Sequence, residues 1–525
     1  METVIVFAYA ISILLMVVTP LVLAVLLRRR FSVPWFLFLV GSATFIGSQI
    51  VHIPLNEWLA DVGLLPALGS LEGFPLWRTA LILGLTAGLC EELARTVGYA
   101  LLRRWRRFED GLMLGLGHGG IEAMVFGGVQ VAAMLTSLMA LRGVDLATLN
   151  LSAEQMAALT RYLDFLNRSP LWAALPFVER CLAMVAHVIL SLLVWRAFVQ
   201  RKAWYVPLAI AYHTVFNAVA VYVAQQTESV VLIYGMLLLL LTPGLIWLWR
   251  VWRKEAGPRP TAAPLRVEWR CFMAAVRKEL LQQWRTKWVI VVVAVFAFIG
   301  MFSPLAARFM PEIFRSLPGV EQFADLIPEP SVADVVEQYV KNLQQFGFVV
   351  VVLLGMGAIA GEKDKGTAAL ILSKPMPRWA FVCSKFTAQT LVYVVGFLIG
   401  ALCAFYYTWF LFGPVSMGAF LFCNVLLFVW LMTYVAVTLT GSALMKTVGT
   451  AAGVGFGGSV LLMLASSIPT LSSMMPGALL AWAGQVGLGM SSEPVTANGG
   501  ALVATLVIII LCVLGAMAAF ERQEL

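Results

Sequence analysis

Apolar runs of about 18 or more residues recur from one end of this chain to the other, each long enough to cross a hydrocarbon layer of roughly 30 Å as a helix. Backbone polar groups inside such a layer must be satisfied within the structure itself, which leaves helices or closed barrels, and runs of this length select helices. Of the 525 residues, 61% are hydrophobic and 12% charged, and the mean hydropathy is +0.89, outside the range of ordinary soluble domains. The first run, Val4 to Leu27, has no basic segment ahead of it and is longer and more apolar than the core of a signal peptide, so it reads as a retained span.

The seven cysteines stand singly, with no C-x-x-C pair, so neither a disulfide framework nor a thiolate zinc site is indicated. The net charge of +8 comes from clusters in short segments beside the spans: Arg28 to Arg30, Arg103 to Arg107, Arg201 with Lys202, and Arg250 to Lys254. That is the positive-inside pattern and not a nucleic-acid-binding stripe. With these clusters cytoplasmic, the first half reads as seven spans with its N-terminus outside, at 4–27, 34–54, 76–102, 111–140, 173–199, 204–224 and 230–252. The segments 55–75 and 141–172 then fall outside.

Between Trp252 and Leu265 three prolines, a glycine and several charges break every periodicity, which marks a linker. Beyond it Trp269, Met273, Val276, Leu280, Trp284 and Trp288 recur at helical spacing, with Arg270, Arg277, Lys278, Arg285 and Lys287 on other faces. This predicts a basic amphipathic helix on the cytoplasmic membrane surface, which also leads into the next span. Six further spans are expected at 288–303, 345–361, 380–412, 417–441, 448–468 and 500–519, with 303–341 an external loop and Gly361 to Arg378 a short internal one. The expected fold is all-α: about 13 transmembrane helices in two bundles, seven in 1–254 and six in 266–525, joined by a cytoplasmic linker at 255–265, with the C-terminus cytoplasmic.

Polar pairs one helical turn apart interrupt the first bundle: Glu91 with Arg95, His118 with Glu122, and His213 with Asn217. Each pair shares a helix face. An ionisable group at mid-membrane costs roughly 2.5 to 3.5 kcal/mol on an insertion scale, so such groups on different helices are expected to converge rather than face lipid. His52, at the outer end of its span, reads as interfacial. The glycines of Gly115 to Gly120 serve close helix packing or the approach of a substrate backbone; both roles stay open.

The strings Cys90-Glu-Glu-Leu-Ala-Arg95, Gly115-Leu-Gly-His-Gly-Gly-Ile-Glu122 and Tyr212-His-Thr-Val-Phe-Asn217 resemble the motifs of CAAX proteases and bacteriocin-processing membrane proteases. The nearer resemblance is to YhfC-like intramembrane metalloproteases, carried by the glycine-rich histidine string and the Glu179-Arg180 to His187 segment. Two residues stand between Glu92 and Arg95 where the common CAAX-protease form has three, and Leu114 replaces an aromatic. Both departures favour the YhfC-like branch and weigh against a prenylated substrate.

The resemblance implies that Glu91 activates a water, with Glu92 beside it and Arg95 keeping a carboxylate ionised, while His118, His213 and Asn217 position water or metal and stabilise the oxyanion. Glu122, Glu179 and His187 are further candidates. Two or three imidazoles with a carboxylate and one open position suit a catalytic zinc, and His118, His213 and His187 are the candidates to hold it. The alternative is a non-catalytic bundle that binds a substrate or ion, since intramembrane Glu and His also serve as proton relays.

The second half resembles the permease subunits of type-two ABC transporters, through Gly361-Glu-Lys-Asp-Lys-Gly-Thr367 and Ser373-Lys-Pro-Met-Pro-Arg378. The resemblance implies contact with a separate ATPase subunit at Glu362, Gly366, Thr367, Pro375 and Arg378, and a homodimer or a pairing with another permease. The sequence has no G-x-x-x-x-G-K-[ST] string: Gly441 to Thr447 lacks the second glycine, so no nucleotide site is encoded. The whole reads as a fusion of an intramembrane protease and an export permease, acting on a peptide or small-molecule substrate in the lipid bilayer, with a bacterial inner membrane implied by resemblance.

Overall fold

The computed structural model describes residues 3–68, 71–102, 104–140, 156, 160, 170–227, 229–256, 265–316, 330–487 and 498–524. Among these residues the fold is all helical, with no strand, and 13 helices are long and apolar enough to cross a membrane. Chain contacts define two compact units, one of residues 1–131 with 153–262 and one of 132–152 with 263–525. Residues 257–264 of the expected linker and most of the expected loop at 141–172 lie outside the described residues.

The first unit is built from α1 (Thr3–Phe31), α2 (Trp35–Asp61), α3 (Gly73–Leu101), α4 (Phe108–Glu122), α5 (Gln130–Ala140, its first two residues only), α6 (Leu175–Val199), α7 (Tyr205–Gln226) and α8 (Val230–Glu255). Lipid tails give apolar helices no solvent-driven reason to pair, so small residues that let backbones touch decide which helices do. Gly84 and Gly88, four apart on α3, bring it against the α7 backbone at Ile210 and Thr214. Gly117 of α4 lies against the Phe38 carbonyl of α2, while Gly119, on another face, faces the Cβ of His187 on α6 at 2.9 Å from where its own Cβ would stand. The glycine string is thus a packing device: it seats α4 between α2 and α6 with His118 in the seam.

The second unit contains α9 (Leu265–Arg285), α10 (Trp288–Ser316), α11 (Val332–Asn342), α12 (Phe348–Gly355), the short α13 (Ala360–Asp364) and α14 (Thr367–Leu372), then α15 (Arg378–Phe412), α16 (Met417–Leu444), α17 (Val448–Ser466), α18 (Pro469–Ser472), α19 (Gly477–Gly487) and α20 (Gly499–Glu521). The sequence suggested loop over 303–341, but α10 stays helical to Ser316 and helix begins again at Val332. Ser331 and Asp334 form a capping box, satisfying N–H groups that a helix start leaves open. Val335, Val336 and Tyr339 are buried in the core of this unit, and the Tyr339 hydroxyl donates to Asn424 at 2.8 Å. The stretch read as a loop after Gly361 folds into α13 and α14, which Gly366 joins at φ +69°, a backbone conformation suited to glycine.

The close α2–α4 approach has a measurable consequence. Gly117→Ala is expected to lower stability by about 1 to 3 kcal/mol through overpacking, read from thermal unfolding in detergent. Gly47→Ala, on α2 and with nothing within 4 Å of its Cβ position, is expected to stay within about 0.5 kcal/mol of the parent chain.

Candidate active site

Four helices of the first unit converge on Glu91. It lies on α3 together with Glu92 and Arg95, while α4 supplies His118 and Glu122, α6 supplies His187 and α7 supplies His213. Glu91, Glu92, Arg95, His118, His187 and His213 are all buried, Glu92, Arg95 and His118 completely. Charges placed this deep must be paired, and their partners follow from the hydrogen-bond pattern.

Arg95 turns to Glu92, three residues before it, and one guanidinium nitrogen reaches both carboxylate oxygens. The other terminal nitrogen donates to His187 Nδ1 at 3.0 Å. Glu92 also accepts from His213 Nδ1 at 2.9 Å. Arg95 therefore holds Glu92 as an anion, and Glu92 orients an imidazole. Glu122 pairs with His187 Nε2 and with Arg180, 2.9 Å away, and Arg180 in turn pairs with Glu179.

These partners assign the tautomer of each ring. With its single proton on the Gly41 carbonyl at 2.7 Å, the Thr44 hydroxyl accepts from His118 Nδ1 at 2.9 Å. Nδ1 of His118 is then protonated and Nε2 carries a bare lone pair. His213 donates from Nδ1 to Glu92, which leaves its Nε2 bare. His187 donates from Nε2 to Glu122, and the lone pair of its Nδ1 accepts from Arg95. Nε2 of His118 and of His213 face one oxygen, Glu91 Oε2, at 3.0 Å and 4.0 Å, and His187 Nδ1, engaged with Arg95, lies 3.9 Å from it.

Lone pairs gathered on a carboxylate oxygen repel unless a cation sits among them. Glu92 and Glu122 each have a guanidinium; Glu91 has imidazoles. A proton or a metal ion meets the demand, and the donor set fits a metal: one oxygen of Glu91 and one ring nitrogen each of His118 and His187 lie within 4.8 Å of one another, and His213 stands at the margin. Each ring's far nitrogen is fixed by Thr44, Glu92 or Glu122, the support that metal-bound histidines receive.

Beside these groups is a cavity of about 70 Å³ lined by Glu91, Glu122, His187, His213 and Asn217 among others, large enough for water. Immediately after Glu122 the helix widens into a π segment, Ala123–Val129, a distortion common beside functional sites. The sequence candidates thus gather in one place, Asn217 at the cavity wall and Glu179 at the outer end of the Arg180 pair. Thr44 carried no signal in the sequence beyond being a hydroxyl in an apolar run. His52 is half-buried, within 3.3 Å of Gln49 and of Thr86 on α3 and 3.0 Å of Asn56, so it joins a polar strip with Gln49 and Asn56 on α2.

In the second unit, the candidates for contact with an ATPase subunit separate into two groups. Glu362 is buried and pairs with Lys385 at 2.9 Å and with Lys278. Glu279 joins both lysines, at 2.9 Å from Lys385 and 2.8 Å from Lys278, so this ion network ties α9, α13 and α15 together. Burial works against the Lys278 ammonium, and the two carboxylates outweigh it, holding the group above the ordinary lysine range. Arg378 donates to the carbonyls of Phe520, Glu521 and Gln523 at 2.8 to 3.0 Å. Gly366, Thr367 and Pro375 remain exposed, joined by Leu370, 70% exposed on α14.

Residues 12–238 match the YhfC intramembrane metalloprotease family, and residues 273–525 match the ABC-2 family of transporter proteins. The chain is 30% identical over 202 residues to the uncharacterized transmembrane protein YxlG of Bacillus subtilis strain 168, covering 37% of this chain and 76% of the relative. It is 28% identical over 209 residues to the uncharacterized membrane protein YhfC of the same organism, covering 38% and 78%.

The Arg95–Glu92 pair can be tested without a substrate. Arg95→Met strands a buried carboxylate and is expected to cost about 3 to 5 kcal/mol, seen as a lower thermal midpoint and loss of monodisperse protein. Adding Glu92→Gln to Arg95→Met is expected to recover most of that loss, because no uncompensated charge then remains.

Proposed function

Because the chain belongs to the YhfC intramembrane metalloprotease family through residues 12–238 and to the ABC-2 transporter family through residues 273–525, we propose that it hydrolyses peptide bonds within the membrane and serves as the permease of an ATP-driven exporter. Residues 1–254 form the hydrolase domain and 266–525 the permease domain, in a bacterial inner membrane, with the N-terminus outside and the linker and C-terminus in the cytoplasm. The observation that carries the hydrolase reading is the convergence of ring nitrogens of His118, His187 and His213 on Glu91.

Hydrolysis inside a bilayer needs a held water, a base and a donor for the oxyanion, away from competing solvent. Glu91 faces the cavity and takes the proton of the attacking water, then returns it to the leaving amine. His118 holds its orientation through Thr44, and Glu92 with Arg95 holds His213. The Asn217 side-chain amide, at the cavity wall, donates to the developing oxyanion. Zinc, held by the imidazoles of His118, His187 and His213 with the fourth position left to a water beside Glu91, would supply Lewis acidity and a more acidic bound water.

The permease domain implies a separate ATPase subunit as its partner. Gly366, Thr367, Leu370 and Pro375 form the contact face, and Glu362 and Arg378 brace it from within. A homodimer completes the translocation path, and a peptide cut by the first domain is the cargo of the second.

Mapping new peptide N-termini in membranes tests the hydrolase. Cells producing the parent chain are expected to show cuts within apolar segments of other membrane proteins, and Glu91→Gln, at equal abundance, to reduce them at least about a hundredfold. Unchanged N-termini in Glu91→Gln would leave the bundle a non-catalytic binding domain. Co-purification of an ATPase subunit that is lost in Leu370→Asp and kept in Glu91→Gln is the expected result for the permease face.

A further inference from the structure

The ion network occupies one side of α9; the other side is open. The helix carries five cations against two carboxylates, and one of those carboxylates, Glu279, is already held by Lys278 and Lys385. Arg277, Arg285 and Lys287 are exposed, beside the exposed apolar Leu281, Trp284 and Trp288. A groove of about 380 Å³ lies where α9 meets α10 and α15, with Leu280, Val289, Leu391 and Val395 in its walls and Arg277 and Trp284 also lining it. It shares Leu281 with a second depression, of about 450 Å³, which contains Lys278 and Arg285. From the groove an exposed apolar ridge, Leu391, Val395, Leu398 and Leu402, runs along α15 at helical spacing.

We propose that this groove is a binding site for one anionic phospholipid. An acyl chain lies along Leu391 and Val395, the phosphate meets the guanidinium groups of Arg277 and Arg285, and Trp284 sits at the boundary between chain and headgroup. Three properties select this occupant. The groove is apolar and continuous with a ridge on a membrane-spanning helix, which a soluble phosphate has no use for. Its rim is cationic, so an anionic headgroup gains from it while the quaternary ammonium of phosphatidylcholine does not. A second copy of this chain, docking the same face two-fold, would bring like charges together. Tryptophan belongs at such boundaries because its ring is apolar and its N–H is not.

The test uses the full-length chain in neutral detergent. Native mass spectrometry and thermal unfolding are followed while dioleoylphosphatidylglycerol, dioleoylphosphatidylcholine or sn-glycerol 1-phosphate is added. Phosphatidylglycerol is expected to be retained and to raise the unfolding midpoint saturably, while the other two have little effect. Arg277→Gln with Arg285→Gln is expected to weaken phosphatidylglycerol binding roughly tenfold or more, with an unchanged midpoint in phosphatidylcholine showing that the variant folds. Val395→Trp, which fills the groove and leaves every charge in place, is expected to weaken it as well. Equal retention of both lipids, or binding indifferent to the arginine pair, would overturn the proposal. So would a full effect of glycerol phosphate alone, which would mark a phosphate site, or a lipid-independent dimer sealed through this face.

Discussion

The first unit is organised around the unbalanced charge at Glu91. Neighbouring carboxylates have their guanidiniums: Arg95 serves Glu92 and Arg180 serves Glu122. Glu91 is given ring nitrogens of three imidazoles instead. Burying that arrangement in a membrane bundle is costly unless a proton or a metal ion occupies it, and the second ring nitrogens, each fixed by Thr44, Glu92 or Glu122, hold the rings ready for one. The glycines on α3 and α4 serve the same end, because only backbones in contact bring four helices near enough to share one carboxylate.

Much of this was legible in the sequence, for a simple reason. Helical periodicity fixes which residues share a face, so Glu91 with Arg95, His118 with Glu122 and His213 with Asn217 could be placed together before any fold was known. Apolar length located the spans in the same way. Periodicity does not say which neighbour a polar group takes. Arg95 was read as the keeper of some carboxylate, and the structure assigns it to Glu92; Glu122 proves to orient His187, and Thr44 to orient His118, through helix crossings that depend on close packing. The start of α11 was hidden because its acidic and polar residues look like loop, although Val335, Val336 and Tyr339 bury a full face. Glu362 looked like a surface charge for the related reason that the sequence does not show Lys385 beneath it.

The second unit uses charge differently. Its buried network is balanced, two lysines against two carboxylates, and so asks for no ligand. What it does is fasten the amphipathic α9 to the short α13 and the long α15. Under the proposed contact at α14, a force applied there by an ATPase subunit would reach α9 and α15 through these bonds, which is what a permease driven by a partner subunit requires. The first unit has a charge that seeks a counter-ion and the second has charges that hold helices together, a contrast that suits chemistry in one and motion in the other.

The central claim is that the three imidazoles and Glu91 enclose a metal ion. Metal content of the purified full-length chain, with X-ray absorption at the edge of the metal found, measures this directly. The account predicts about one zinc per chain in a shell of imidazole nitrogen and water oxygen, with the metal lost from His118→Ala and from His213→Ala. Well-folded protein that carries no metal, and takes up none from a zinc-buffered solution, would contradict it.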